Sequence, residues 1–159
     1  MKARKASYWL LGMCLFPLFA CGNQEQARNS DERGFNPEIL RANKLMQAFV
    51  AAHPGHEVLK YAQADLSGDG RDDLVVIYRE NKDQNRMCVV RAKGDHSIES
   101  NSVPAPVSDQ TIRFKDIDNK APLEFIAQGR KGAVVGYAIF RLEDGVLTDL
   151  FGEGFENCC

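Results

Sequence analysis

The sequence lacks an excess of basic residues, a long apolar run and any common catalytic motif. Its 159 residues include 20 lysines and arginines against 22 aspartates and glutamates, so it has no basic stripe of the kind that neutralises nucleic-acid phosphates. The main apolar run, residues 8–20, is shorter than the ~20 residues of a membrane-spanning helix. The sequence contains no Cys-x-x-Cys pair and no phosphate-binding glycine loop. We therefore expect no nucleic-acid partner and no enzymatic activity.

The first twenty residues have the pattern of a bacterial export signal. Lys2, Arg4 and Lys5 precede the apolar run, and a basic start followed by a short apolar segment is typical of a signal peptide. The run ends in Leu-Phe-Ala-Cys, which resembles the lipobox of bacterial lipoproteins. We predict a signal peptide over residues 1–20, a lipid on Cys21, and a location in the cell envelope, anchored to the membrane and outside the cytoplasm. An ordinary secretory signal or an uncleaved anchor is the alternative.

A tether and one helix are expected next. Without the signal, 17 basic residues remain against 22 acidic ones, and residues 21–35 are too polar to bury surface, so they are predicted to form a flexible tether. Asn36 and Pro37 are typical of a helix start. Apolar residues at helical spacing follow, and His53-Pro54-Gly55 predicts the helix end near Ala52.

The rest of the chain changes to short runs of β-branched and aromatic residues between turns. Strands are predicted over residues 58–63, 74–79, 87–92, 111–115, 123–128, 133–142 and 146–151, with hairpin turns at 129–132 and 143–145. We predict a mainly β (α+β) domain over residues 36–152. It combines one N-terminal helix with two propeller-blade-like antiparallel modules, at about 57–107 and 108–152.

The first module contains an acidic loop with the spacing of a cation site. Oxygen-bearing or carbonyl positions fall at alternate residues and a strand follows directly; the candidate ligands are Asp65, Ser67, Asp69, Arg71 (through its carbonyl) and Asp73. Calcium takes six to eight oxygen ligands from loops of this kind, so calcium is the predicted cofactor. The motif resembles the short calcium loops of VCBS and FG-GAP propeller blades. The alternative is a turn in which aspartate and glycine serve only the backbone.

A second acidic loop lies 51 residues further on. Asp116, Asp118 and Glu124 correspond to Asp65, Ser67 and Asp73, whereas Lys120 replaces an aspartate. Because the lysine ammonium could neutralise the three carboxylates, we predict that this loop binds no metal.

The two adjacent thiols of Cys158 and Cys159 carry the functional prediction. A disulfide between neighbours is strained, so the pair is expected to spend time as a dithiol on a flexible tail, residues 153–159. Thiolates bind soft cations and exchange with disulfides. Cys88 is a candidate third ligand; the alternative is that it is a buried small residue in a strand.

The Cys-Cys ending, the lipobox and the chain length together resemble the Cys-Cys-COOH (seleno)protein family SaoC. This resemblance implies handling of organometallic or mercurial compounds beside a transporter or an organometal lyase. We therefore expect a membrane-anchored lipoprotein that binds a soft metal or organometal cation at Cys158 and Cys159 and hands it to a partner. The alternatives are a calcium-stabilised surface interaction module and a thiol-disulfide exchange partner.

Overall fold

The computed structural model describes residues 28–29 and 37–151. The predictions that concern the signal peptide, Cys21, Cys158 and Cys159 lie outside these residues. Two short helices, α1 (Pro37–Ala42) and α2 (Lys44–Ala52), follow the first strand. The strands are β1 (Arg28–Asn29), β2 (Glu57–Ala64), β3 (Asp73–Arg79), β4 (Asn85–Lys93), β5 (His96–Glu99), β6 (Val103–Ala105), β7 (Ser108–Lys115), β8 (Glu124–Lys131), β9 (Val134–Glu143) and β10 (Val146–Asp149).

The predicted helix is present, and Asn43 divides it into α1 and α2. The Asn43 side-chain oxygen accepts hydrogen bonds from the backbone N–H groups of Leu45, at 2.8 Å, and Met46, at 3.1 Å. These bonds satisfy two of the N–H groups that a helix start leaves without partners. The α2 helix ends at Ala52, as predicted, and Met46 and Phe49 are its buried residues.

The strands form two antiparallel sheets. The first has the order β1-β2-β3-β4-β5, with β6 also paired to β4, and the second has the order β10-β9-β8-β7. This confirms the mainly β fold class. Within residues 21–35, which were predicted to form a flexible tether, Arg28 and Asn29 pair with Gln63 and Ala62 of β2. Pairing there covers backbone groups that an edge strand would otherwise leave open.

Each sheet contains one predicted module as a four-stranded meander: β2 to β5 in the first and β7 to β10 in the second. The registers are equivalent, because Leu74 pairs with Val90 in the first sheet and Phe125 pairs with Phe140 in the second. The faces are not used equivalently. Leu74 points toward α2, whereas Phe125 points into the core between the sheets. The two modules therefore stack in the same orientation. The face of the second module that contains Phe125 packs on the face of the first module that lies opposite to Leu74.

The core has two layers separated by the first sheet. Between the sheets lies a cluster that includes Val75, Ile77, Met87, Phe125 and Phe140. On the other side of the first sheet, Met46 and Phe49 pack on a smaller cluster; its strand members are Val58, Tyr61, Leu74, Val76, Tyr78, Cys88 and Val90. Alternate residues of β3 thus enter different layers, as the two-residue period of a strand requires.

Of the two turns predicted in the second module, one is present and the other is shifted. The predicted turn at Asp144-Gly145 is present, with φ of 50° and 84°, as a two-residue hairpin of this kind requires. The other predicted turn is shifted: Gly129 lies within β8, and Lys131 already pairs with Val134. A Cβ on Gly129 would lie 2.3 Å from Pro106 Cβ, so glycine is needed there for close approach rather than for a turn.

Candidate functional site

The two acidic loops join equivalent strands, β2 to β3 and β7 to β8, and they are the best-defined polar constellations among the described residues. In the first loop, Asp65 holds the turn through both carboxylate oxygens. Its Oδ1 accepts from the backbone N–H groups of Gly68, at 2.7 Å, and Asp69, at 3.1 Å; its Oδ2 accepts from Gly70 at 2.8 Å. Gly68 and Gly70 have positive φ, which glycine adopts without strain. Asp65 therefore serves the loop backbone.

Asp69 is paired with Arg71 within the same loop. The Arg71 guanidinium donates to Asp69 Oδ2 through Nε at 3.1 Å and through Nη2 at 2.5 Å. This hydrogen bond lowers the pKa of Asp69. Arg71 Nη2 also donates to the carbonyl of Ala92, at 3.3 Å, which ties the loop to the end of β4. Arg71 was predicted to offer its backbone carbonyl to calcium. In the structure its positively charged guanidinium group is the partner of Asp69.

Asp73, the first residue of β3, binds the backbone at the start of the loop. It is 2% exposed, and its Oδ2 accepts from the backbone N–H groups of Leu66, at 3.0 Å, and Ser67, at 2.7 Å. Burial raises the pKa of Asp73, and these hydrogen bonds oppose that shift. The carboxylates of Asp65, Asp69 and Asp73 therefore have separate partners and do not converge on one point.

In the second loop the acidic side chains do converge. Ligand oxygens of Asp116, Asp118 and Glu124 lie within 4.8 Å of one another, the one such group of three among the described His, Cys, Asp and Glu residues. Arg141 from β9 lies against it. Its guanidinium donates to Asp118 Oδ2 at 2.6 Å and, through Nε, to Glu124 Oε1 at 2.8 Å.

Arg141 adds a positive charge to the one that was predicted to come from Lys120. The hydrogen bond from Arg141 is the main cause that lowers the pKa of Asp118, and the charge of Lys120 lowers this pKa further. The backbone N–H of Lys120 also donates to Asp118 Oδ1, at 3.0 Å. The physical reason is register: Arg141 pairs directly with Glu124 across the β8–β9 ladder. Glu124 is fully buried, and a buried carboxylate requires a charged or hydrogen-bonding partner.

The ligand oxygens of Asp116, Asp118 and Glu124 lie close enough together to hold a metal ion, so the prediction that the second loop binds no metal stays a prediction. Backbone N–H groups or guanidinium groups contact Asp65, Asp69, Asp73, Asp118 and Glu124. The calcium prediction at Asp65, Ser67, Asp69, Arg71 and Asp73 stays a prediction, and the arrangement of the loop favours the alternative of a turn that serves the backbone.

Cys88 lies in the layer between the first sheet and α2. It is 1% exposed, and it is a free cysteine. Burial raises the pKa of its thiol to about 12, so the thiolate that binds metals is strongly disfavoured. The structure thus supports the interpretation of Cys88 as a buried small residue and argues against it as a third ligand.

Sequence reasoning missed Arg141 because an arginine within a predicted strand resembles an ordinary solvent-facing residue. A signal was available: Arg141 follows the apolar Phe140 and Ile139, and Arg91 follows Val90 and Val89 in the same way in the first module. The repeat marks the position, but the ion pair forms in the second module: in the first, the Nε of Arg91 is buried without a hydrogen-bond partner, and Asp69 pairs with Arg71.

Comparison with known proteins yields no match, since no family model, curated protein or solved structure corresponds to this chain. Over residues 28–29 and 37–151, none of the helices combines the length and the apolar character needed to cross a membrane.

Proposed function

We propose that this chain is an envelope lipoprotein that binds a soft metal or organometal cation, such as Hg²⁺, through Cys158 and Cys159. Two adjacent thiols are the observation that carries the proposal. Thiolates are the protein ligands that select soft cations, and strain disfavours a disulfide between neighbours. A bound cation would favour deprotonated sulfur, and it could leave by exchange onto the thiols of a partner.

The described domain supports this assignment by the way it uses its other candidate ligands. Cys88 is buried with a raised pKa, so it does not compete for a soft cation. The acidic loops have internal partners in Arg71 and Arg141. We therefore propose the cysteine pair as the site of soft-metal capture and the β domain as its carrier.

The proposed location follows from the sequence. An acylated Cys21 would hold the protein on the membrane, outside the cytoplasm, and residues 22–27 would separate the lipid from β1. The resemblance to the SaoC family suggests a transporter or an organometal lyase as the recipient of the cation. The protein would act by binding and transfer, without catalysis of its own.

Titration with Hg²⁺ tests the proposal. In the full-length chain with Cys14 and Cys21 replaced by Ser, we expect Cys158→Ser or Cys159→Ser to weaken Hg²⁺ binding by about 100-fold or more, as removal of one of two tethered ligands predicts. Cys88→Ala is the matched control, and it should leave the affinity unchanged. Equal affinity in the double Cys158→Ser/Cys159→Ser variant would refute the proposal.

A further inference from the structure

The outer face of the second sheet is an apolar surface that no described element covers. It consists of Ile126, Val135, Tyr137, Ile139, Leu150 and Phe151, hereafter the open face. Val135, Tyr137 and Phe151 are 51%, 53% and 57% exposed. In the first module, both faces of the sheet are covered, one by α2 and one by the second sheet.

The register shows that the open face corresponds to a surface that is buried in the first module. Ile126 pairs with Ile139 as Val75 pairs with Val89. Likewise, Tyr137 takes the place that Met87 has in β4. The residues of the first module are fully buried between the sheets. The second module therefore presents a surface built for packing, and it continues the stacking sense of the two sheets.

Basic residues border the open face on the side of β7 and β8. Arg113 pairs with Ile126, so it extends the row that contains Ile126 and Ile139 across the sheet. Lys115 and Arg130 are exposed neighbours of this row. Arg130 lies 3.8 Å from Asp109, whereas Glu124, the strand partner of Lys115, is held by Arg141. A segment that carries an apolar side chain and negative charges would complement this surface. The chain has an excess of acidic residues that could supply such a segment.

The chain itself leads onto this surface. The Leu150 N–H donates to the Ile139 carbonyl at 2.9 Å, and the rings of Phe151 and Tyr137 lie 5.6 Å apart. Residues 152–159 follow directly and contain Glu153, Phe155 and Glu156. Eight residues reach at most about 26 Å, whereas neighbouring strands are about 4.8 Å apart. Residues 152–159 can thus cross from β10 to β7.

We propose that residues 152–159 dock on the open face of their own chain. Phe155 packs against Ile126 and Ile139, and the glutamates face Arg113 and its basic neighbours. Head-to-tail stacking of a second copy is blocked, because α2 covers the surface of the first module that would have to fit here. Docking would hold the cysteine pair near β7. Because docking requires no metal, its test is independent of the Hg²⁺ titration.

A single tryptophan in the segment tests the docking. We would use the full-length chain with Trp9→Phe and Phe155→Trp and record its emission at several protein concentrations. We expect emission at shorter wavelength than in urea, independent of concentration, because the indole lies on an apolar surface. Arg113→Glu should remove the shift. Lys93→Glu, an exposed charge reversal on the other sheet, is the matched control and should retain it.

A second variant separates docking from folding defects. Replacing Glu153 and Glu156 by Gln changes only the segment, and it should also weaken the shift, with an unchanged urea midpoint. Emission identical to that in urea would overturn the proposal. A shift that grows with protein concentration would overturn it in favour of a second copy, and so would a shift that survives both Arg113→Glu and the glutamine variant.

Discussion

At the scale of single residues, the two modules use their acidic loops in the same way. The last acid of each loop accepts the N–H of the residue that follows its first aspartate: Asp73 from Leu66, and Glu124 from Ile117 at 2.9 Å. This contact closes the loop onto the sheet. An acidic spacing that resembles a calcium loop thus has a structural explanation without an ion, in which aspartates accept backbone hydrogen bonds.

Asp73 is the residue at which this interpretation is tested. Asp73→Ala leaves the N–H groups of Leu66 and Ser67 without their acceptor, so we expect a loss of about 1–3 kcal/mol in the free energy of unfolding. Asp73→Asn should lose less, since one amide oxygen can accept both bonds. Urea denaturation measures the effect, and the exposed neighbour Asp72→Ala is the control. Equal effects of the two alanine variants would contradict the expectation.

At the scale of elements, the sequence predicted the helix limits and the main strands, because apolar periodicity and turn residues determine them locally. It did not predict the break at Asn43, since the apolar spacing continues through that residue and the capping bond depends on a side-chain conformation. Among the strands that follow α2, it also missed β5 and β6. The former has one large apolar residue, Ile98, and the latter contains Pro104, so neither carries a strand pattern of its own; both are ordered by pairing with β4.

The cap at Asn43 is expected to stabilise α2 measurably. Asn43→Ala removes the acceptor for Leu45 and Met46 and should cost about 1 kcal/mol of unfolding free energy. Asn43→Asp retains an acceptor and should behave like the wild type, and Lys44→Ala, at the next exposed position, controls for a change in helix propensity. Urea denaturation with circular dichroism provides the measurement. A loss in Asn43→Asp equal to that in Asn43→Ala would exclude capping as the cause.

At the scale of the whole molecule, the two modules share one core. Phe125 and Phe140 of the second sheet pack against Val75 and Ile77 of the first. The side-chain amide of Asn101 also exchanges two hydrogen bonds with the backbone of Leu147, at 2.6 and 3.1 Å. The repeat and its length could be predicted from the sequence, but the stacking sense could not, because alternation along a strand does not specify which face meets which partner.

A fragment of residues 108–151 tests this dependence. Alone, it would expose Phe125 and Phe140 to water, and a sheet needs a second layer to bury its apolar face. We expect no cooperative urea transition from the fragment, whereas residues 37–151 should unfold in a single transition followed by circular dichroism. A cooperative transition of the isolated fragment would show that the modules fold independently.

The same-sense stacking has a consequence for how proteins of this architecture can change length. The exposed face of the last module is equivalent to the face of the first module that packs on the second. A further copy of the module could therefore pack on it through the same kind of contact, so duplication of one segment could lengthen the array. The α2 helix terminates the array at one end, where Met46 and Phe49 cover the first sheet. Growth is therefore possible in one direction only, beyond β10.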